Sequence, residues 1–159
     1  MNYYDLFEIP ISVSIDRALL SKRYFRLQKS FHPDYFTLAD EAEQQTALEK
    51  TALLNKAFKI FKDADATIKY LLQMKEMLTE EEKYPLSPDF LMEVMELNES
   101  LSAGTADQIS VMEDDIYAPV RNIIANYNDA KVTTDELLKL KEYYFKKKYL
   151  QRILDRIDG

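Results

Sequence analysis

The 159-residue chain has no cysteine and a single histidine. The first absence excludes disulfides, thiol nucleophiles, and iron–sulfur or zinc sites built on sulfur ligands. The second excludes every multi-histidine metal site, so a metal enzyme would have to work through carboxylates alone. Two glycines and five prolines are too few for a β-sandwich or barrel with many tight turns. No run approaches the ~18 apolar residues that a membrane-spanning helix needs. The opening segment, Met1 to Glu8, has no basic stretch and carries acids early, so neither a signal peptide nor a transit peptide is expected. A net charge of −7 argues against wholesale binding to a nucleic-acid backbone. With 47% hydrophobic and 31% charged residues, the chain can still bury a core. A soluble, cytoplasmic protein of one ordinary domain or two small ones is expected, with no cofactor, no metal, and neither nucleic acid nor membrane as a partner.

Charge is unevenly placed. Residues 1–79 hold eleven basic and eleven acidic residues, whereas residues 80–118 hold Lys83 alone against eleven acids. Residues 119–159 return to nine basic and six acidic. The shift suggests a domain boundary at residues 77–87, where Glu80, Glu81 and Glu82 read as a solvated linker between Leu78 and Pro85. Residues 1–76 and 88–159 then form the two domains.

In the first of these, Ser14 can cap a helix that has Asp16 in its first turn. Leu20, Tyr24, Leu27 and Phe31 follow at i, i+4, i+7 and i+11, one apolar stripe at helical spacing. Lys22, Arg26 and Lys29 fall on the other side with Arg23 beside them, a basic helix in an acidic protein. Pro33 pushes His32 out of helical geometry, so the helix should end there. Asp40 and Glu43 make a capping box for the next helix, with Ala47, Thr51, Leu54, Phe58 and Phe61 inward. A shorter helix from about Ala64 to Lys75 carries Ile68, Leu71 and Leu72.

A lone His-Pro-Asp is weak, but here it joins two amphipathic helices, the first basic on its outer face. Together with Tyr3-Tyr4-Asp5-Leu6-Phe7 and Asn55-Lys56-Ala57-Phe58, residues 1 to about 75 resemble a J-domain. The resemblance implies docking on a DnaK-type chaperone and stimulation of its ATP hydrolysis, with His32, Pro33 and Asp34 as the trigger. Lys22, Arg23, Arg26 and Lys29 would steer an acidic partner surface. Two departures from the family pattern stand out. Tyr35 follows the tripeptide where a basic residue is common, and Asp63-Ala64 replaces the usual Asp-Pro.

Beyond the linker, Ser87-Pro88-Asp89 is a strong helix start. At 100° per residue, Phe90, Val94, Leu97 and Leu101 form one narrow stripe. Leu91, Met92 and Met95 lie away from it, among Glu96, Asn98 and Glu99. Either both faces are buried between neighbouring helices, or an apolar patch with an acidic edge is exposed for a partner. Methionine, flexible and polarizable, suits the second reading. A further helix should run from about Ala106 to Tyr127, kinked or split at Pro119. Its inward positions are Ile109, Met112, Ile116, Val120, Ile123 and Tyr127. Thr133 and Glu136 make a capping box for a last helix to about Ile157, whose apolar residues cover more than one face. Tyr149 there is either core or an extension of the methionine patch.

The whole chain is therefore expected to be all-α: a J-domain hairpin with short flanking helices, then a three-helix bundle. The run from Phe90 to Glu99 is similar to the Phe-Leu-Met-Glu-x-x-Glu-Leu motif of the HscB family of iron–sulfur co-chaperones. That resemblance implies an IscU-type scaffold protein held by Leu91, Met92, Met95, Glu96, Glu99 and Tyr149. It also implies an HscA- or DnaK-type ATPase as the second partner of a monomeric, non-enzymatic protein. A J-domain protein with a different client remains open. So does a carboxylate enzyme using Glu96 and Glu99 with Asp114 or Asp115, although no Glu-x-x-His pair is present.

Overall fold

The computed structural model describes residues 1–99, 101 and 104–158, which contain helices and no strand. The chain divides into two compact units, Met1–Met74 and Lys75–Gly159.

The first unit holds α1 (Tyr3–Phe7), α2 (Arg17–Phe31), α3 (Glu41–Phe61) and α4 (Ala64–Met74). Asn2 and Asp5 cap α1 reciprocally. The cap of α2 is Asp16 and not Ser14: the Leu19 N–H donates to Asp16 Oδ1 at 3.1 Å, and the helix begins at Arg17. An aspartate satisfies the orphan donor as well as serine does, and its charge also opposes the positive end of the helix dipole. Asp40 caps α3 through the Glu43 N–H, as expected.

Helices α2 and α3 pack as an antiparallel hairpin. Tyr24 stacks on Phe58 with ring centroids 3.9 Å apart, and its hydroxyl donates to Asn55 Oδ1. Near the turn, Thr51 Oγ1 donates to the Phe31 carbonyl at 2.9 Å, taking up an acceptor that the end of α2 leaves open. The closed end of the unit is aromatic: Tyr3, Tyr4 and Phe7 of α1 surround Phe61 and Tyr70. Thr67, fully buried, donates from Oγ1 to the carbonyls of Ile60 and Asp63, which joins α3 to α4.

The second unit contains α5 (Pro88–Glu99), α6 (Thr105–Tyr117), α7 (Arg121–Ala125) and α8 (Thr134–Asp158). Pro119 ends α6 early. A 3-10 turn covers Ala118–Val120, and Tyr127 lies outside the helix expected to reach it. The reciprocal Thr133–Glu136 box caps α8, with both bonds at 3.1 Å. Buried residues point from several sides of α8, because Tyr143 meets Tyr117 of α6 while Phe145 stacks on Tyr84.

Residues 75–87 belong to this second unit. Leu78 and Leu86 are buried, Tyr84 lies flat on Phe145, and Lys141 Nζ sits 2.5 Å from Glu82 Oε2. Glu82, expected among solvated acids, is thus held against α8. One expected core residue differs too: Leu101 lies beyond α5 and is 40% exposed, since the helix ends before its next buried turn.

Two measurements check this packing. Thr67→Val keeps the volume but removes both hydroxyl bonds, and should cost ~1–2 kcal/mol in urea unfolding, with Thr67→Ser closer to the parent. The Lys141 hydrogen bond holds the Glu82 carboxyl below its ordinary value. Glu82 therefore contributes stability above the ordinary carboxylate range, and that contribution is lost as pH falls through the lowered pKa. Lys141→Gln should return the Glu82 titration, followed by NMR, toward ordinary carboxylate behaviour and shrink the loss of stability on acidification.

Candidate functional site

The chain offers two candidate contact surfaces, one in each unit. In the first unit, His32 ends α2 with extended backbone (φ −61, ψ 132) and Pro33 opens a 3-10 turn running to Phe36. His32 Nδ1 lies 3.2 Å from the Asp34 N–H and 3.4 Å from Asp34 Oδ2. The N–H can donate only to an unprotonated Nδ1, so this geometry places the neutral ring's proton on Nε2, away from the turn. The side chain of Asp34 is almost entirely in water. Tyr35 sits edge-on to the imidazole and is 69% exposed, so an aromatic stands at the tip where a cation was the expected type. Beneath the turn, a cleft of about 310 Å³ is lined by Phe31, Phe36, Ala47 and Lys50.

Lys22, Arg26 and Lys29 lie exposed on α2, with Arg23 half-buried at their edge. The four are not equivalent. Arg23 Nη1 and Arg26 Nη2 both donate to Glu8 Oε2, at 3.1 and 2.8 Å. Among the described residues Lys22 and Lys29 make no ion pair. Sequence reasoning missed Glu8 because it lies 15 and 18 positions from its partners, and only the fold brings α1 beside α2. It also missed Phe25, which is 64% exposed beside the basic face. An aromatic off the apolar stripe was the available signal.

In the second unit, Phe90, Val94 and Leu97 face inward from α5. Met92 and Met95 are 61% and 58% exposed, Glu96 and Glu99 are exposed, and Leu91 is half-buried. The off-stripe side of α5 is therefore open to water. Lys146 Nζ lies over the Phe90 ring at 5.3 Å, and the Arg156 guanidinium donates to Asn98. Contacts in that order make α5 and α8 run parallel. Lys146, Tyr149, Ile153 and Arg156 fall at i, i+3, i+7 and i+10, so they share one face of α8. Tyr149 accordingly lies between two residues that touch α5, half-buried, with Arg152 at 5.2 Å over its ring. Leu91 and Met95 lie next to Asn98, on the same side of it, on the wheel of α5 and form the near edge of the patch. A separate cleft of about 350 Å³, bordered by Phe90, Ile116 and Tyr143, holds none of the predicted scaffold-contact residues. Among the described residues, no group of three His, Asp or Glu is placed to hold a metal ion. None of their helices is long and apolar enough to cross a membrane.

One surface is a polar turn flanked by cations, the other an apolar patch rimmed by acids. The class they define is a J-domain co-chaperone. Residues 86–158 match the family model described as the HscB C-terminal oligomerisation domain. A co-chaperone HscB homologue from Vibrio cholerae is 32% identical over the full length of both chains. One from Vibrio atlanticus is 39% identical over 74% of this chain and 68% of its own. The structure of the chaperone HscB from Vibrio cholerae has 29% identity and a TM-score of 0.70, covering 99% of this chain and 96% of its own. Human co-chaperone HscB, at 24% identity, shares the fold with a TM-score of 0.81 over 99% and 81% of the two chains. The chain belongs to the HscB family of co-chaperones, and is accordingly a co-chaperone and not an enzyme.

The exposure of the methionines can be checked without any partner. Met92→Ala and Met95→Ala should each shift unfolding free energy by less than ~0.5 kcal/mol, as surface changes do. Leu97→Ala, on the buried stripe of the same helix, should cost ~2–5 kcal/mol in the same denaturation experiment.

Proposed function

We propose that this co-chaperone docks on an HscA- or DnaK-type ATPase through His32, Pro33 and Asp34, with Lys22, Arg23, Arg26 and Lys29 steering the approach. Leu91, Met92, Met95, Glu96, Glu99 and Tyr149 hold an IscU-type scaffold protein. On this reading residues 1–76 and 88–159 are separate functional domains joined by residues 77–87, and the protein works in the cytoplasm. Holding the client while engaging the ATPase raises the client's effective concentration at the chaperone. ATP hydrolysis then secures the client and assists transfer of its iron–sulfur cluster. The cluster is cargo here, and His32 and Asp34 do no chemistry on it.

The observation that carries the reading is the pairing, in one chain, of an exposed His-Pro-Asp turn with an exposed methionine patch in a separate compact unit. Two sites in two units allow each partner to be lost without the other. Central apolar residues carry most of an interface's energy, so Leu91, Met92 and Met95 should outweigh Glu96 and Glu99 at the rim. A second reading is favoured by the oligomerisation named in the matching family model: the same patch would bind a second copy of this chain.

The test uses the full chain with purified ATPase and scaffold. Asp34→Asn or His32→Gln should abolish stimulation of ATP hydrolysis while leaving helical content and scaffold binding intact. Changing Leu91, Met92 and Met95 together to Ala should weaken scaffold binding at least ~10-fold, the loss of one or two hot-spot side chains. ATPase stimulation without scaffold should survive in that variant. Normal stimulation by folded Asp34→Asn protein would refute the docking surface. Sedimentation of the chain alone decides the second reading, giving a monomer under the first and a dimer under the second.

A further inference from the structure

Glu8 follows α1 with φ 54 and ψ 45, the left-handed region that a residue with a Cβ enters at a steric cost. Its flanking residues leave it little freedom. Phe7 and Ile9 are buried, the Glu8 N–H donates to the carbonyls of Tyr4 and Asp5, and the Ile9 N–H donates to Tyr4. The cap thus fixes the backbone of Glu8, and its mostly exposed side chain reaches α2, where Arg23 and Arg26 converge on one oxygen, Oε2. A guanidinium has five N–H donors in a planar fork. Among the described residues each arginine gives Glu8 a single bond, so each has donors left to offer.

We infer that Glu8 is an internal stand-in for a carboxylate of the chaperone, and that docking on Arg23 and Arg26 is an exchange in which the partner's acid displaces it. This rests on the docking reading above and gives that surface its partner chemistry: an acidic patch able to meet both arginines bidentately. A forked carboxylate–guanidinium pair is stronger and more directional than the single bonds that Glu8 makes. Because the guanidinium edges are only partly used, an incoming carboxylate can bind before Glu8 leaves, so the exchange passes through no bare cation. Lys22 and Lys29, with no internal anion, supply the long-range attraction, whereas the arginines supply the close contact. Glu8 therefore sets how acidic a partner must be. A weakly acidic surface, able to use only the free edges, fails to displace it.

The experiment titrates the full chain, with and without Glu8→Gln, against a DnaK-type ATPase from the same cell at low and high salt. Glu8→Gln should lower the concentration needed for half-maximal stimulation by ~3- to 10-fold at low salt, a gain that shrinks as salt screens the contact. Removing any acid would help an acidic partner, so a double-mutant cycle isolates the exchange. Arg26→Gln should weaken docking several-fold more in the Glu8→Gln background than in the parent, where Glu8 already occupies that arginine. An equal cost in both backgrounds would mean that Glu8 acts only through net charge. Weaker docking by Glu8→Gln with unchanged melting would mean that it orients the arginines and does not compete for them. Either result overturns the inference and leaves the docking reading standing. If the parent itself fails to stimulate, both fall together.

Discussion

Burying one face of a helix against one neighbour leaves the opposite face to water, and both candidate sites in this co-chaperone depend on that division. In α2 the buried side is taken by the contact with α3, anchored by the Tyr24–Phe58 stack and Asn55. Lys22, Arg26 and Lys29 on the other side are thereby turned outward, with Arg23 half-buried at their edge. In α5 the inward stripe of Phe90, Val94 and Leu97 satisfies the bundle, so Met92 and Met95 remain outside. Had a further helix covered the far side of α5, the same sequence would have presented no patch. Helix α8 shows the contrary case: its buried residues point in several directions because α6 and the segment around Tyr84 each claim a side.

Rigidity is placed where presentation needs it. The His-Pro-Asp turn is exposed, yet the backbone on either side is tied: Thr51 bonds the Phe31 carbonyl before it, and the Tyr35 N–H bonds the His32 carbonyl within it. Proline at the first position of the short 3-10 turn holds φ without needing a donor. The result is a polar tip with the Asp34 side chain in water, on a main chain tied before and within the turn. At the other end of the unit, the aromatic cluster around Phe61 fixes α1, and with it the position of Glu8.

Proline marks the second unit as well, with a different outcome. Pro88 opens α5 behind the Ser87 cap, where its missing N–H has no helical partner to lose. Pro119 falls inside an otherwise continuous apolar pattern and divides it into α6, a 3-10 turn and α7. The chain is thereby redirected toward the Thr133 cap of α8. Tyr127 lies beyond the break. There its hydroxyl donates to Asp129, whose other neighbour is Lys75, and burial with the Asp129 contact raises its pKa.

The sequence by itself determined the helices, their buried stripes and most of their ends, because capping, periodicity and proline act over a few residues. Asp40, Thr133, Ser87 and Pro33 were all legible in that way, as was the all-α class. The off-stripe set Leu91, Met92 and Met95 was also visible, although the wheel alone left open whether a second neighbour covered it. Tertiary structure alone decided the rest, since it depends on which distant segments meet. It exposed the methionines, ended α5 short of Leu101, and held Glu82 against Lys141. It placed Tyr149 on the α5-facing side of α8. It also set Glu8 between Arg23 and Arg26, a contact that no local pattern encodes, because an ion pair leaves no periodic trace in the sequence and forms only where packing brings its charges within a few ångströms.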